Sequence, residues 1–228
     1  METVRPPALR TKTAGPFTVR VLANRRLSAN AFELTLARPP RFHFSAGQRL
    51  RLEYAGAQRD YSIVSAPAET DLRLCIRRVE GGRLSARLAH AGADDPMMFT
   101  GPHGYFTFKP SAHPAVFVAT GTGIAPFCAM AGAGVSGFTL LHGVETPADL
   151  YYRDFIQPRA AVYVACLSAG RPAEPAHYPG WVTDYLRNCL PPRACDFYLC
   201  GRQDMIRDAT LLADERFPGS LVYTEIFY

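Results

Sequence analysis

The strongest constraint on this chain is a change of hydrophobic period near residue 110. Before it, Thr18–Leu22, Phe32–Leu36, Arg49–Tyr54 and Asp71–Arg77 alternate apolar and polar residues. Period two marks strands with one buried face. After it, apolar residues run on without alternation, as in Ala115-Val116-Phe117-Val118-Ala119. Such a run is a strand covered on both faces. Gly137–His142, Ala160–Leu167, Asp196–Cys200 and Ser220–Phe227 repeat that character, with helical stretches between them. The periods predict two domains: an antiparallel β-barrel over residues 1–110 and a doubly wound parallel α/β sheet over 111–228. Within the barrel, Arg59-Asp60-Tyr61-Ser62 is expected to open a strand and Arg83–Ala91 to form a helix. Gly101-Pro102-His103-Gly104 reads as a turn and Lys109–Pro114, with two prolines, as a hinge.

Composition narrows the function classes. Hydrophobic residues at 48% and charged residues at 20% exclude a disordered or fibrous chain. No apolar run approaches the roughly 18 residues of a membrane span. The first residues lack the apolar stretch of a signal peptide, so the cytoplasm is the expected compartment. Charge is uneven: residues 1–110 hold 17 Lys and Arg against 9 Asp and Glu (+8), residues 111–228 hold 8 against 11 (−3). A basic half suits an anionic cofactor or an acidic protein partner, or is the ordinary scatter of solvated arginines. Its arginines alternate with apolar residues instead of clustering, which argues against nucleic acid. The six cysteines form no C-x-x-C pair and the six histidines are scattered. Neither a metal site nor an internal iron–sulfur cluster is expected.

Four short stretches carry candidate chemistry. The first buried strand of the second half runs into Thr120-Gly121-Thr122-Gly123-Ile124-Ala125-Pro126. Glycines at a strand-to-helix junction let a ligand approach the backbone, and the helix N-terminus offers free N–H groups to phosphate. The same residues also fit a tight turn without a ligand. Cys200-Gly201, with Met205 beyond, ends a later buried strand, where open α/β sheets bind ligands or a thiol simply packs. In Arg59-Asp60-Tyr61-Ser62, a guanidinium, a phenol and a hydroxyl have the types to clamp phosphate, stack on a ring and donate a hydrogen bond. Gly82-Arg83-Leu84-Ser85 begins the barrel's helix and is a second candidate anion site.

Taken in order, R-x-Y-S, G-x-x-S, G-P-x-G, G-T-G-I-A-P, C-G-x-x-x-M and a terminal aromatic resemble the ferredoxin–NADP reductase family, from about Phe17 to Tyr228. The resemblance implies a flavin-binding barrel followed by a pyridine-nucleotide domain. Arg59 would then meet the flavin pyrophosphate, Tyr61 would flank the isoalloxazine and Ser62 would lie near its N5. Cys75-Ile76-Arg77 and Gly82, Leu84 and Ser85 would complete the FAD site. Gly121, Thr122, Gly123, Gly201 and Met205 would frame the nicotinamide nucleotide, with Cys200 and Glu225 beside the reacting atoms. Phe227 or Tyr228 would cover the flavin, or pin the last strand. Ser168 and Arg171 would grip a 2′-phosphate, whereas Glu145 would oppose one, so the nucleotide is NADP or NAD. The implied activity is hydride transfer from NAD(P)H to FAD, then single-electron transfer to a separate acidic carrier such as a ferredoxin or flavodoxin. The alternatives are an oxygenase reductase component, a reductase of free flavins or quinones, and a non-catalytic electron-transfer subunit.

Overall fold

The computed structural model describes residues 14–54, 56–169 and 177–227. The first half comprises β1 (Ala14–Arg26), β2 (Ala31–Ala37), β3 (Arg49–Tyr54), β4 (Ala57–Ser62), β5 (Asp71–Arg77), the single turn α1 (Ser85–Leu88) and β6 (Pro96–His103). Its strands lie in the order β4-β3-β6-β1-β2-β5, all paired antiparallel. The two ends of this sheet meet where Ile63 bridges Leu74 and the Val64 N–H donates to the Arg73 carbonyl at 2.8 Å. The period-two residues Leu34, Leu36, Leu50, Leu52, Leu72 and Leu74 fill the interior with Phe99.

Three expectations change here. Tyr54 pairs with Ala57, so β4 already begins at Ala57 and Arg59–Ser62 closes that strand instead of opening it. The Gly101–His103 stretch is no turn but the end of β6, whose registers with β1 and β3 both shift at this point. The expected helix holds one α turn: beyond it the His90 and Ala91 N–H groups donate to carbonyls only three residues back, and the Asn24 side-chain amide donates to the Leu88 and Ala91 carbonyls at 2.9 and 3.0 Å. Those acceptors are thereby engaged from outside the helix.

The second half comprises β7 (Ala115–Thr120), α2 (Ala125–Gly132), β8 (Phe138–Val144), α3 (Arg153–Ile156), β9 (Ala160–Leu167), β10 (His177–Pro179), α4 (Val182–Asn188), β11 (Asp196–Arg202), α5 (Gln203–Arg216) and β12 (Leu221–Phe227). Its six strands are parallel in the order β10-β9-β8-β7-β11-β12. The unbroken apolar runs have the reason expected of them. Phe117, Leu140 and Tyr198 pack with Phe127 and Met130 of α2, while Val116, Leu141 and Phe197 pack with Leu186 of α4 and Leu212 of α5. β10 escaped the sequence reading because three residues carry no period.

One core crosses between the halves. Val64, Cys75 and Phe106 of the first half share a cluster with Phe117, Phe127 and Tyr198 of the second. Phe106 meets Phe127 and Tyr198 edge-on at 5.8 and 6.0 Å between ring centroids. The Lys109–Pro114 segment is tied down, unlike a hinge: the Lys109 N–H donates to the Tyr198 hydroxyl at 3.0 Å, and Ser111 donates to Asp196.

Phe117 is fully buried between the rings of Phe127 and Phe138, at 4.6 and 4.5 Å, with Tyr198 edge-on at 5.4 Å. Phe117→Ala should cost about 3–5 kcal/mol, since the flanking rings belong to rigid elements that cannot collapse into the void. Urea denaturation should show a lower midpoint at an unchanged slope.

Candidate active site

The strand order dictates where the α/β domain opens. From β7 the chain steps outward through β8, β9 and β10, then returns to β11 and β12 on the other side of β7. A crevice forms at the carboxyl ends of β7 and β11, where the order reverses. There the two backbones nearly touch. A Cβ on Gly123 would lie 2.2 Å from the Cys200 carbonyl oxygen, and one on Gly201 would lie 2.1 Å from Thr120 Oγ1. Thr120 Oγ1 accepts from the Arg202 N–H at 2.9 Å. Gly121 turns the chain at φ +52°. A 3-10 turn over Gly121–Ile124 leads directly into α2, where the Ala125 N–H donates to the Thr122 carbonyl and Pro126 in the first turn has no N–H to leave unpaired.

His142 holds this turn from below, a role that nothing in the sequence reading anticipated. Its Nε2–H donates to the Gly121 carbonyl at 3.1 Å. Burial lowers its pKa to about 4, against the opposing pull of that hydrogen bond, so the ring is neutral at pH 7. The only sequence signal was a histidine inside an otherwise apolar strand.

On the barrel side, β4 leaves Arg59 exposed, Asp60 and Tyr61 half-buried and Ser62 buried, so burial deepens along the strand instead of alternating. Burial pushes the Tyr61 phenol up to about 12, with Arg59 opposing. Ser62 is 2% exposed. Its Oγ has no hydrogen-bond partner among the described residues. A buried hydroxyl without a partner costs free energy unless a ligand supplies one. Ser62 pairs by Cα register with Arg49 on β3.

Arg49 joins the two halves. Its Nε donates to Asp60 Oδ2 at 3.0 Å, and its Nη1 pairs with Glu225 Oε1 on β12. Glu225 in turn lies opposite Cys200 in the β11–β12 register. Ser62, Arg49, Glu225 and Cys200 are thus linked neighbour to neighbour across the domain junction. A cleft of about 620 Å³ opens beside them, lined by Arg49, His103, Gly104, Tyr105, Tyr223 and Glu225 among others. Burial pushes the Glu225 carboxyl above the usual carboxylate range and Arg49 opposes the push. Burial and the Glu225 charge raise Cys200 far above the ordinary thiol value, so it remains a neutral thiol. Burial also works against the Asp60 carboxylate, but Arg51 and Arg49 outweigh it and hold Asp60 below the usual range.

Other predicted residues stand further back. The Cys75 side chain lies in the core shared by both halves, Ile76 in the barrel core, and Arg77 on the surface. Leu84 is buried, and Ser85 Oγ accepts from the Val79 N–H at 3.1 Å, closing its own turn. Gly82 is needed there, since a Cβ would lie 2.8 Å from Ser85 Oγ. Met205 packs in the core beneath α5. Thr122 is half-buried in the turn after β7. Ser168 and Glu145 are exposed on neighbouring strand ends, joined where the Ala169 N–H donates to the Glu145 carbonyl at 3.0 Å. Arg171, Tyr228 and the Phe227 side chain lie outside the described residues; the Phe227 backbone pairs with Arg202.

Two family models match the chain. An oxidoreductase FAD-binding domain matches residues 18–108, and an oxidoreductase NAD-binding domain matches residues 117–210. Ferredoxin–NADP reductase B of Sorangium cellulosum is 36% identical over 178 residues, covering 70% of this chain and 73% of that protein. The chain belongs to the ferredoxin–NADP reductase family. Within this family, the fold is that of a ferredoxin NADP+ reductase from Neisseria gonorrhoeae solved with bound FAD and NADP. That structure matches with a TM-score of 0.83 at 23% identity, over 94% of this chain and 100% of the other. The toluate 1,2-dioxygenase electron transfer component of Pseudomonas putida is 31% identical over 198 residues, which are 80% of this chain and 58% of that longer protein. The orphaned Ser62 hydroxyl fits a flavin edge, and the glycine-lined crevice fits a nucleotide.

Gly123→Ala should destabilise the protein by about 3 kcal/mol, because the clash is with backbone that cannot rotate away. Gly121→Ala, with open space but a left-handed φ, should cost only about 1 kcal/mol. Chemical denaturation of the pair checks the contrast. His142 makes stability pH-dependent. Its folded pKa is depressed, so stability should fall as pH drops from about 6.5 to about 4, where the unfolded chain takes up the proton first. The loss should approach about 3 kcal/mol and flatten in His142→Asn, measured by melts across that window.

Proposed function

We propose that this protein takes hydride from NADH or NADPH and passes electrons singly to a separate carrier protein. The observation that supports this best is the junction at which Ser62, Arg49, Glu225 and Cys200 line up between an FAD-binding and an NAD-binding domain. Bound FAD would supply a ring that accepts two electrons as hydride and releases them one at a time. In this reading the domains divide at residue 110. Arg59, Tyr61 and Ser62, the strand Cys75–Arg77 and the Gly82–Ser85 turn hold the flavin. Ile76 and Leu84 act from the core, as backing. Gly121, Thr122, Gly123 and Gly201 admit the nucleotide, with Met205 packed behind them. Cys200, fully buried as a neutral thiol, backs the reacting rings, and Glu225 places a carboxylate beside them. Stacking flat rings at a fixed separation is what hydride transfer demands of this scaffold.

Ser168 and Arg171 are the residues we assign to the adenosine end of the nucleotide, with Phe227 or Tyr228 over the flavin face. Exposed Glu145, on the strand end next to that of Ser168, would oppose a 2′-phosphate, so the proposal covers both NADH and NADPH. The carrier is acidic, drawn by the +8 of residues 1–110. A second reading, an oxygenase reductase component, is favoured by the similarity to the toluate dioxygenase component. Among the described residues no helix is long and apolar enough to cross a membrane.

Protein loaded with FAD should bleach in the visible when NADH or NADPH is added without oxygen; no bleaching with either overturns the proposal. Ser62→Ala should slow the bleaching roughly tenfold, the worth of one hydrogen bond, at an unchanged melting temperature. Reduction of an added ferredoxin should slow several-fold between low salt and about 0.15 M, where charge attraction reaches only about 8 Å. A salt-insensitive rate would point to a small-molecule acceptor instead.

A further inference from the structure

Glu225 is a buried carboxylate whose cation comes from the other domain. Its side chain is 9% exposed and that of Arg49 is 29% exposed. Removing one partner of so buried a pair leaves an uncompensated charge, which proteins tolerate poorly. The fork of Arg49 is divided: Nε serves Asp60 and Nη1 serves Glu225. Asp60 is in turn held by Arg51 at 2.7 Å, so the guanidinium is anchored to the barrel before it reaches across. Gly104 leaves the room for this, since a Cβ there would lie 3.0 Å from Arg49 Nη1 and 3.8 Å from Glu225 Oε2.

We propose that Arg49 is a positioning residue: held by Asp60, it keeps the Glu225 carboxylate ionised and fixed at the mouth of the interdomain cleft. This role rests on the function proposed above, in which the cleft adjoins the bound flavin. The charged and titratable groups that face Glu225 are Arg49 from β3, Asp60 from β4 and Cys200 from β11, with His103 and Tyr105 along the cleft. Asp60 and burial favour the protonated acid, and Arg49 stands against both. A lysine would carry the charge but, as a point donor, lacks the fork that serves both carboxylates at once.

Glu225 can be titrated in the full-length, FAD-loaded protein by its carboxyl infrared band, taken as the difference from Glu225→Gln. In Arg49→Met the midpoint should rise by roughly one to three pH units, and Arg49→Lys should recover most of that shift. An unmoved midpoint in Arg49→Met overturns the proposal. Stability provides a second readout. Ionising an unpaired, buried Glu225 costs the folded state, so the melting deficit of Arg49→Met should widen from about pH 5 to about pH 8. The deficit should stay flat in the Glu225→Gln background; widening there as well overturns the proposal. If Arg49→Met fails to fold, rescue by the added Glu225→Gln change supports the role, and failure of both overturns it. Wild-type protein that neither nucleotide reduces overturns the function and, with it, the purpose of this contact. Normal reduction of the wild type with an unmoved Arg49→Met midpoint removes the role of Arg49 alone.

Discussion

The aromatic core around Phe117 and Tyr198 is what makes one site out of two domains. Phe106, which follows the last barrel strand, packs edge-on against Phe127 and Tyr198, and Tyr198 also takes the Lys109 N–H. Rings of this size bury a large area in few residues and hold a defined orientation. The barrel therefore cannot swing freely on the α/β sheet. Its β3 and β4 are held beside the carboxyl ends of β11 and β12. Every contact across the cleft depends on that registration.

Electrostatics then work on a prepared geometry. Glu225, Cys200 and His142 are buried, and each pKa is shifted toward the neutral form by burial. Only Glu225 has a cation to resist the shift, and that cation is carried by the neighbouring domain. A charge in a poorly solvated site interacts more strongly than at the surface, so one guanidinium governs whether this carboxylate is charged. The glycines contribute by absence. At Gly123, Gly201 and Gly104 a side chain would occupy space that the backbone or the ion pair already fills.

The fold was legible because hydrophobic period reports burial directly. β3, β5 and β9 span the residues expected of them, and the other apolar runs became β7, β8, β11 and β12 with ends moved by one or two residues. Where local signals misled, a tertiary contact overrode them. Gly101-Pro102 has turn chemistry but lies in β6, between two partner strands. The Arg83–Ala91 stretch has helical chemistry but tightens after one turn, where its Leu88 and Ala91 carbonyls meet Asn24 of β1. The candidate site was half legible. Motifs marked Ser62, Gly104, Gly121–Gly123 and Cys200, and the family resemblance marked Glu225; Asp60 fills only the variable place of R-x-Y-S, and Arg49 and His142 belong to no motif.

The sequence by itself determined which segments are buried on one face or two, the two-domain division that follows, and the residue types offered to a flavin and a nucleotide. These are properties of a chain read over short windows, since burial pattern and turn chemistry are local. Only the tertiary structure decided that Arg49 meets Glu225, 176 positions away. Such a contact depends on how the barrel closes, on which side of β7 the strands β11 and β12 return, and on the aromatic core that joins the halves. No residue type or spacing encodes that distance. An arginine in an alternating strand reads as solvated until the second domain covers it.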